Sequence, residues 1–192
     1  MVVTNNSRTD LSRSTISGYS AGANKGFTLL ELMIVLAIVA LLAIITVPSF
    51  NDSIKRATLD AVRNTLSESL NLARNEALTR KVQTVVCARD IGQGCNSNGD
   101  WSQGWVVFAD IDADGSFSTR SDQLIHVQDR YQNIRISISG PLQVVYTATG
   151  TLQTRVGRSI EICPAENGTS FMGRRMTISS TGGVSHQSDT EC

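Results

Sequence analysis

From Leu32 to Val47 the chain reads LMIVLAIVALLAIITV, with Thr46 its only polar side chain. A run of this kind has to be covered by lipid or by other apolar helices. With Phe27 to Glu31 added, it reaches the ~20 residues that cross a bilayer as a helix. Arg8, Arg13 and Lys25 precede it, with Asp10 the one acidic residue there. The positive-inside rule then leaves the N-terminus in the cytoplasm and the bulk of the chain outside. A secretory signal peptide would keep its apolar stretch free of charge and follow it with small residues at A-x-A spacing. Here TVPSFNDS follows, and Glu31 stands near the start. The segment is read as a retained helix.

Glu31 needs a reason to be there, since a carboxylate in a membrane-spanning segment costs about 2.5–3.5 kcal/mol. The plain account is a side chain at the interface. The sharper one is a positive partner met when helices pack together, and a free amine on Phe27, made by cutting after Gly26, would be such a partner. An ion pair of this kind adds little net stability but sets register, because leaving either charge alone is heavily penalised.

The stretch Lys25-Gly26-Phe27-Thr28-Leu29-Leu30-Glu31-Leu32 resembles the signal of type IV prepilins. The resemblance implies that a membrane aspartyl peptidase cuts after Gly26 and methylates the new N-terminus at Phe27. It also implies that Glu31 aids docking into a growing filament. Pro48 follows the apolar run as in that family. Physically it removes a helix hydrogen bond and clashes with the preceding turn, so a kink is expected there. The leader before the cut, residues 1–26, is rich in Ser, Thr, Asn and Gly and reads as a disordered cytoplasmic tail. Its length exceeds what the minor-pilin group carries, which points to a start codon downstream of Met1.

Beyond Pro48 the pattern becomes amphipathic. Leu59, Val62, Leu66, Leu70, Ala73 and Ala77 recur at steps of three and four, while Asp60, Arg63, Asn64, Glu68, Asn71 and Arg74 take other faces. One helix from about Phe27 to Thr79 is expected: hydrophobic over 27–52, amphipathic over 53–81. From 82 to 192 short β-branched runs alternate with Gly, Asn, Asp and Ser clusters. Several alternate apolar with polar, as for sheets covered on one face. The fold class is α+β, a long kinked N-terminal helix packed on a C-terminal antiparallel β-domain. The segment Leu72 to Arg80, the order GWVVFAD, DADG, VVYTATG and IEICP, and a hairpin around Thr181-Gly182-Gly183 resemble the GspH/FimT/FimU pilins and pseudopilins.

Four cysteines, at 87, 95, 163 and 192, lack the C-x-x-C spacing of zinc or redox motifs. On the outer side of a membrane anchor an even count points to disulfides. Three pairings are open to the sequence. Cys87–Cys95 would close a Gly/Asn-rich loop, and Cys163–Cys192 would tie down the C-terminus, the second contributing roughly 3 kcal/mol by loop-closure entropy.

Asp110-Ile111-Asp112-Ala113-Asp114-Gly115 matches the first half of a calcium loop, but the twelfth position is Ser121 rather than a bidentate Glu, and no second helix follows. An acidic turn is the expectation, with no metal and no cofactor. His126 and His186 have no ligand partner at useful spacing. No catalytic motif is present, so no enzyme is expected. Seventeen basic and seventeen acidic residues balance, which excludes nucleic-acid binding by bulk charge. The DNA-binding members of the resembled group carry Gly-Arg-x-Arg in the C-terminal hairpin. Here Gly182-Gly183-Val184-Ser185 stands in that place. Arg155, Arg158, Arg174 and Arg175 are the remaining candidates for a DNA patch.

The resemblance implies a structural subunit: a minor type IV pilin that primes or joins assembly near the filament tip. Its partners would be other minor pilins, the major pilin, the prepilin peptidase, the inner-membrane assembly platform, and membrane lipid before assembly. It would sit in the inner membrane with its β-domain in the periplasm, then in the extracellular pilus. A type II secretion pseudopilin and a DNA-binding minor pilin are the alternatives.

Overall fold

The computed structural model describes residues 26–192 apart from 93, 166–171 and 188; the side chains of 44–50 and 190 also lie outside the description. The first element is helix α1, Leu29–Arg80. Its assignment runs through Pro48, whose side chain, and with it the expected kink, lies outside the described residues. The chain divides into two units between Ile45 and Thr46. Each unit is described by itself.

In the second unit the core is built on the stripe that the periodicity marks. Leu59, Val62, Leu66, Leu70, Ala73 and Ala77 are all completely buried. The helix ends at Lys81, which takes φ 61° and donates its N–H to the Ala77 carbonyl at 3.0 Å. This is a left-handed cap made without glycine.

Among the described residues nine strands follow: β1 Gln83–Ala88, β2 Trp105–Asp110, β3 Gln123–Gln128, β4 Ile134–Ile138, β5 Gln143–Tyr146, β6 Arg158–Pro164, β7 Met172–Ile178, β8 Val184–His186 and β9 Thr190–Glu191. They form two antiparallel sheets, ordered β3-β2-β1-β5 and β4-β6-β7-β8, with β9 also on β7. Both sheets turn one face to the stripe. Val86, Ala88, Trp105, Val107, Val144 and Tyr146 come from the first, and Ile134, Ile136, Ile160, Ile162, Met176 and Ile178 from the second. Strand β9 and a 3₁₀ turn at Trp101–Gln103 lie outside the sequence expectation, being too short for a periodic signal.

The first sheet departs from the one-face expectation. All six residues of β2 are buried, because its outer face has a cover of its own. Val85, Cys87, Val106 and Phe108 form a second apolar cluster with Cys95, Phe117, Leu124, Val127 and Val145. Phe117 reaches back from the β2–β3 loop to meet Phe108 edge-on, centroids 5.3 Å apart. The Cys87–Cys95 disulfide, Cα atoms 5.4 Å apart, belongs to the same cover. The Cys163–Cys192 disulfide, Cα atoms 5.8 Å apart, ties the C-terminus to β6. It lies against Gly173, where a Cβ would overlap both sulfurs and the Ile162 carbonyl.

Polar side chains of the helix complete the packing. Asp60 accepts two hydrogen bonds from Arg174 on β7, at 2.7 and 3.0 Å. Arg174 also meets Asp189 at 3.1 Å. Arg74 donates to the carbonyls of Gly150 and Thr181, at 2.9 and 3.1 Å, joining the turn after β5 to the β7–β8 turn. These are two of the side chains that periodicity assigns to other faces of the helix. They flank the stripe and fasten the sheets to it.

Two predictions follow from this packing. The Arg174 hydrogen bond, opposed in part by burial, holds the Asp60 carboxyl below its ordinary value of 3.8. A lowered folded-state value means that the pair stabilises fully above that pH and is lost as pH falls through the lowered value. Asp60→Asn should therefore be less stable than the parent at pH 6 in urea unfolding, with the gap closing at about pH 3 and below. Replacing Cys163 and Cys192 together with serine should lower unfolding free energy by roughly 3 kcal/mol, read in the same assay.

Candidate functional site

The N-terminal unit presents its chemistry in the open. Gly26 has no atom within 4 Å of where a Cβ would stand, and Phe27 is 81% exposed. Thr28 caps the helix: its hydroxyl accepts the Glu31 N–H at 3.2 Å, and its carbonyl accepts the Leu32 N–H. Thr28-Leu29-Leu30-Glu31 thus has the spacing of a capping box, with Glu31 in the first turn, where the helix dipole favours an anion. That spacing is legible in the sequence, and it gives Glu31 a local role besides any pairing between chains.

After the cap, apolar side chains face solvent on all sides of the helix. Leu29, Leu30, Leu32, Met33, Ile34 and Val35 are each about half exposed or more, and exposure continues through Leu42. A helix apolar all round is the kind that other helices or lipid cover. Among the described residues no helix is long and apolar enough to cross a membrane. Within the apolar run, side chains are described as far as Ala43, and the run goes on to Val47.

Of the four arginines offered as a DNA patch, Arg158 and Arg174 are buried. Arg158 is 5% exposed; its guanidinium donates to the carbonyls of Ser139, Pro141 and Gln143. Arg174 is 7% exposed and committed to Asp60 and Asp189. Arg175 alternates to the other face of β7 and pairs with Glu161 on β6 at 2.7 Å. Arg155 stands in an exposed turn at φ 54°. Two of the four are thus turned inward, where they satisfy carbonyls and carboxylates rather than reach for phosphate. Sequence does not reveal this, because their acceptors lie on distant segments.

One set of side chains able to ligate a metal converges among the described residues. Asp110, Asp112 and Asp122 each bring an oxygen within 4.8 Å of the others. Asp110 ends β2 on the outer face of the first sheet, where its Oδ2 accepts from Gln83 at 2.7 Å and from the Gly115 N–H at 3.0 Å. Asp122 accepts the N–H groups of Ile111 and Ser118, at 3.1 and 2.7 Å. Burial pushes the Asp110 carboxyl above its ordinary value, and Asp122 and Asp112 add to that. Asp122 lies one place beyond the position compared with a calcium loop, so a fixed-spacing reading passes over it.

The family model for type II transport protein GspH matches residues 63–182, well over half of the chain. The model for the prokaryotic N-terminal methylation motif matches residues 22–47. A Type IV major fimbrial protein FimA of Dichelobacter nodosus is 38% identical over 88 residues, 45% of this chain and 46% of that protein. A fimbrial protein of Moraxella nonliquefaciens is 60% identical over 35 residues, 18% of this chain and 23% of that one. The chain thus spans less than half the length of these curated relatives. The crystal structure of the type IV minor pilin FimU of Pseudomonas aeruginosa superposes with a TM-score of 0.56 at 22% identity, over 70% of this chain and 91% of that one. With a GspH domain over well over half of its length behind an N-terminal methylation motif, and a helix packed on antiparallel sheets as in FimU, the chain belongs to the GspH family.

Proposed function

We propose that this chain is the precursor of a minor subunit of a type IV pilus. Cleavage after Gly26 would free the amine of Phe27, which would then be methylated. The apolar helix would rest in the inner membrane and later pack among the helices of other pilins. The observation that carries this reading is the helix itself, exposed and apolar on every side, with one carboxylate in its first turn behind an open Gly26-Phe27. Coverage by like helices removes that surface from water, and Glu31 gains a cationic partner in the Phe27 amine of a neighbour. The β-domain, which holds its own core and disulfides, faces outward and contacts other minor pilins and the major pilin.

The fimbrial relatives favour the pilus. The family's description as a type II transport protein favours a second reading, a pseudopilin of a secretion system. Deleting the chain from its host separates them: loss of surface pili with secretion intact supports the first, and the reverse supports the second. DNA binding is the weaker proposal, resting on the half-exposed Arg175 and on Arg155.

The processing step has its own test. Co-expression with a prepilin peptidase should yield a product beginning at N-methylated Phe27, read by intact mass and N-terminal sequencing, and omission of the peptidase should leave the leader in place. An uncut chain in both cases would remove the filament reading. Glu31→Leu should be processed like the parent yet fail to appear in sheared filaments, because the register-setting charge is gone.

A further inference from the structure

The acidic loop after β2 is held in shape by hydrogen bonds of its own, yet one of its carboxylate oxygens is left over. Asp110 is 1% exposed. Its Oδ2 has two donors, while its Oδ1 is buried with no hydrogen-bond partner. A buried anionic oxygen without a donor costs more than an ordinary lost hydrogen bond. The groups placed beside it increase that cost, for they are the carboxylates of Asp112 and Asp122. Two further carboxylates converging on a buried carboxylate with an unpaired oxygen call for a cation.

From this geometry we infer that Asp110, Asp112 and Asp122 form a calcium site on the outer face of the first sheet. The donors are all hard oxygens, which suit calcium or magnesium and not the softer transition metals. Calcium–oxygen distances of about 2.3–2.6 Å let two ligands of one ion stand as much as ~5 Å apart. The oxygens here, within 4.8 Å of one another, already meet that limit. Asp122 is held by Ile111 and Ser118 and Asp110 by Gln83 and Gly115, so two of the three ligands are positioned before an ion arrives. Asp112 lies at the exposed edge and leaves the ion open to water. Three carboxylates with water completing the shell suit the weak class of calcium site, with Kd about 10⁻⁴–10⁻³ M, and fit poorly with the strict octahedron of magnesium. The ion would join the end of β2 to the start of β3 across the loop that carries Phe117, and so secure the cover of the first sheet.

The test uses the full chain in neutral detergent after treatment with EDTA. Calorimetric titration with calcium chloride should show one equivalent binding with Kd about 10⁻⁴–10⁻³ M, and thermal unfolding should shift upward with calcium and much less with magnesium. Asp112→Asn, at an exposed position, should match the parent's unfolding midpoint in EDTA and bind calcium at least about tenfold more weakly. Asp129→Asn, an acidic change elsewhere, should bind like the parent. Absence of binding up to about 10 mM calcium would overturn the proposal, as would equal binding by the parent and Asp112→Asn.

Discussion

Everything in the globular unit is arranged around one strip of helix surface. Leu59, Val62, Leu66, Leu70, Ala73 and Ala77 lie beneath both sheets, and among the described residues no second α-helix shares the task. Because a single stripe supports two sheets, the residues beside it are drawn in as well. Asp60 on one flank holds β7 through Arg174. Arg74, further along, holds two turns. A side chain that looks like a solvated helix face in the sequence becomes a fastening once sheets stand on both sides.

The same helix carries opposite chemistry over its first turns. There the apolar residues are exposed on all sides, an arrangement that is unfavourable in water and favourable among other helices. The division between Ile45 and Thr46 separates a segment whose apolar side chains are exposed from one whose apolar stripe is buried within its own unit. Glu31 stands in the first turn of that exposed segment, its N–H held by the Thr28 hydroxyl.

The outer face of the first sheet adds a feature of its own. A sheet packed on one helix normally leaves its other face to water, but here a disulfide loop and the β2–β3 loop close over it. That closure buries Asp110 and brings it together with Asp112, two residues on, and Asp122 from the far end of the loop. Burial of a charge is thus a consequence of how Phe117 and its neighbours pack, and the grouping of carboxylates follows from it.

The sequence by itself determined the elements whose signal is local. The apolar run, the stripe at steps of three and four, the prepilin-like junction at Gly26-Phe27 and most of the strands can be read from neighbouring residues, because periodicity and turn chemistry act over a few positions. Only the tertiary structure decided matters that depend on segments far apart in the chain. Of three disulfide pairings it has Cys87–Cys95 and Cys163–Cys192, the latter made possible by the bare backbone of Gly173. It turns Arg158 and Arg174 inward to acceptors 15 to 114 residues away, which composition alone leaves as surface charge. It also brings Asp122 beside Asp110, because a loop's closure depends on what its middle packs against and not on the spacing of its ends.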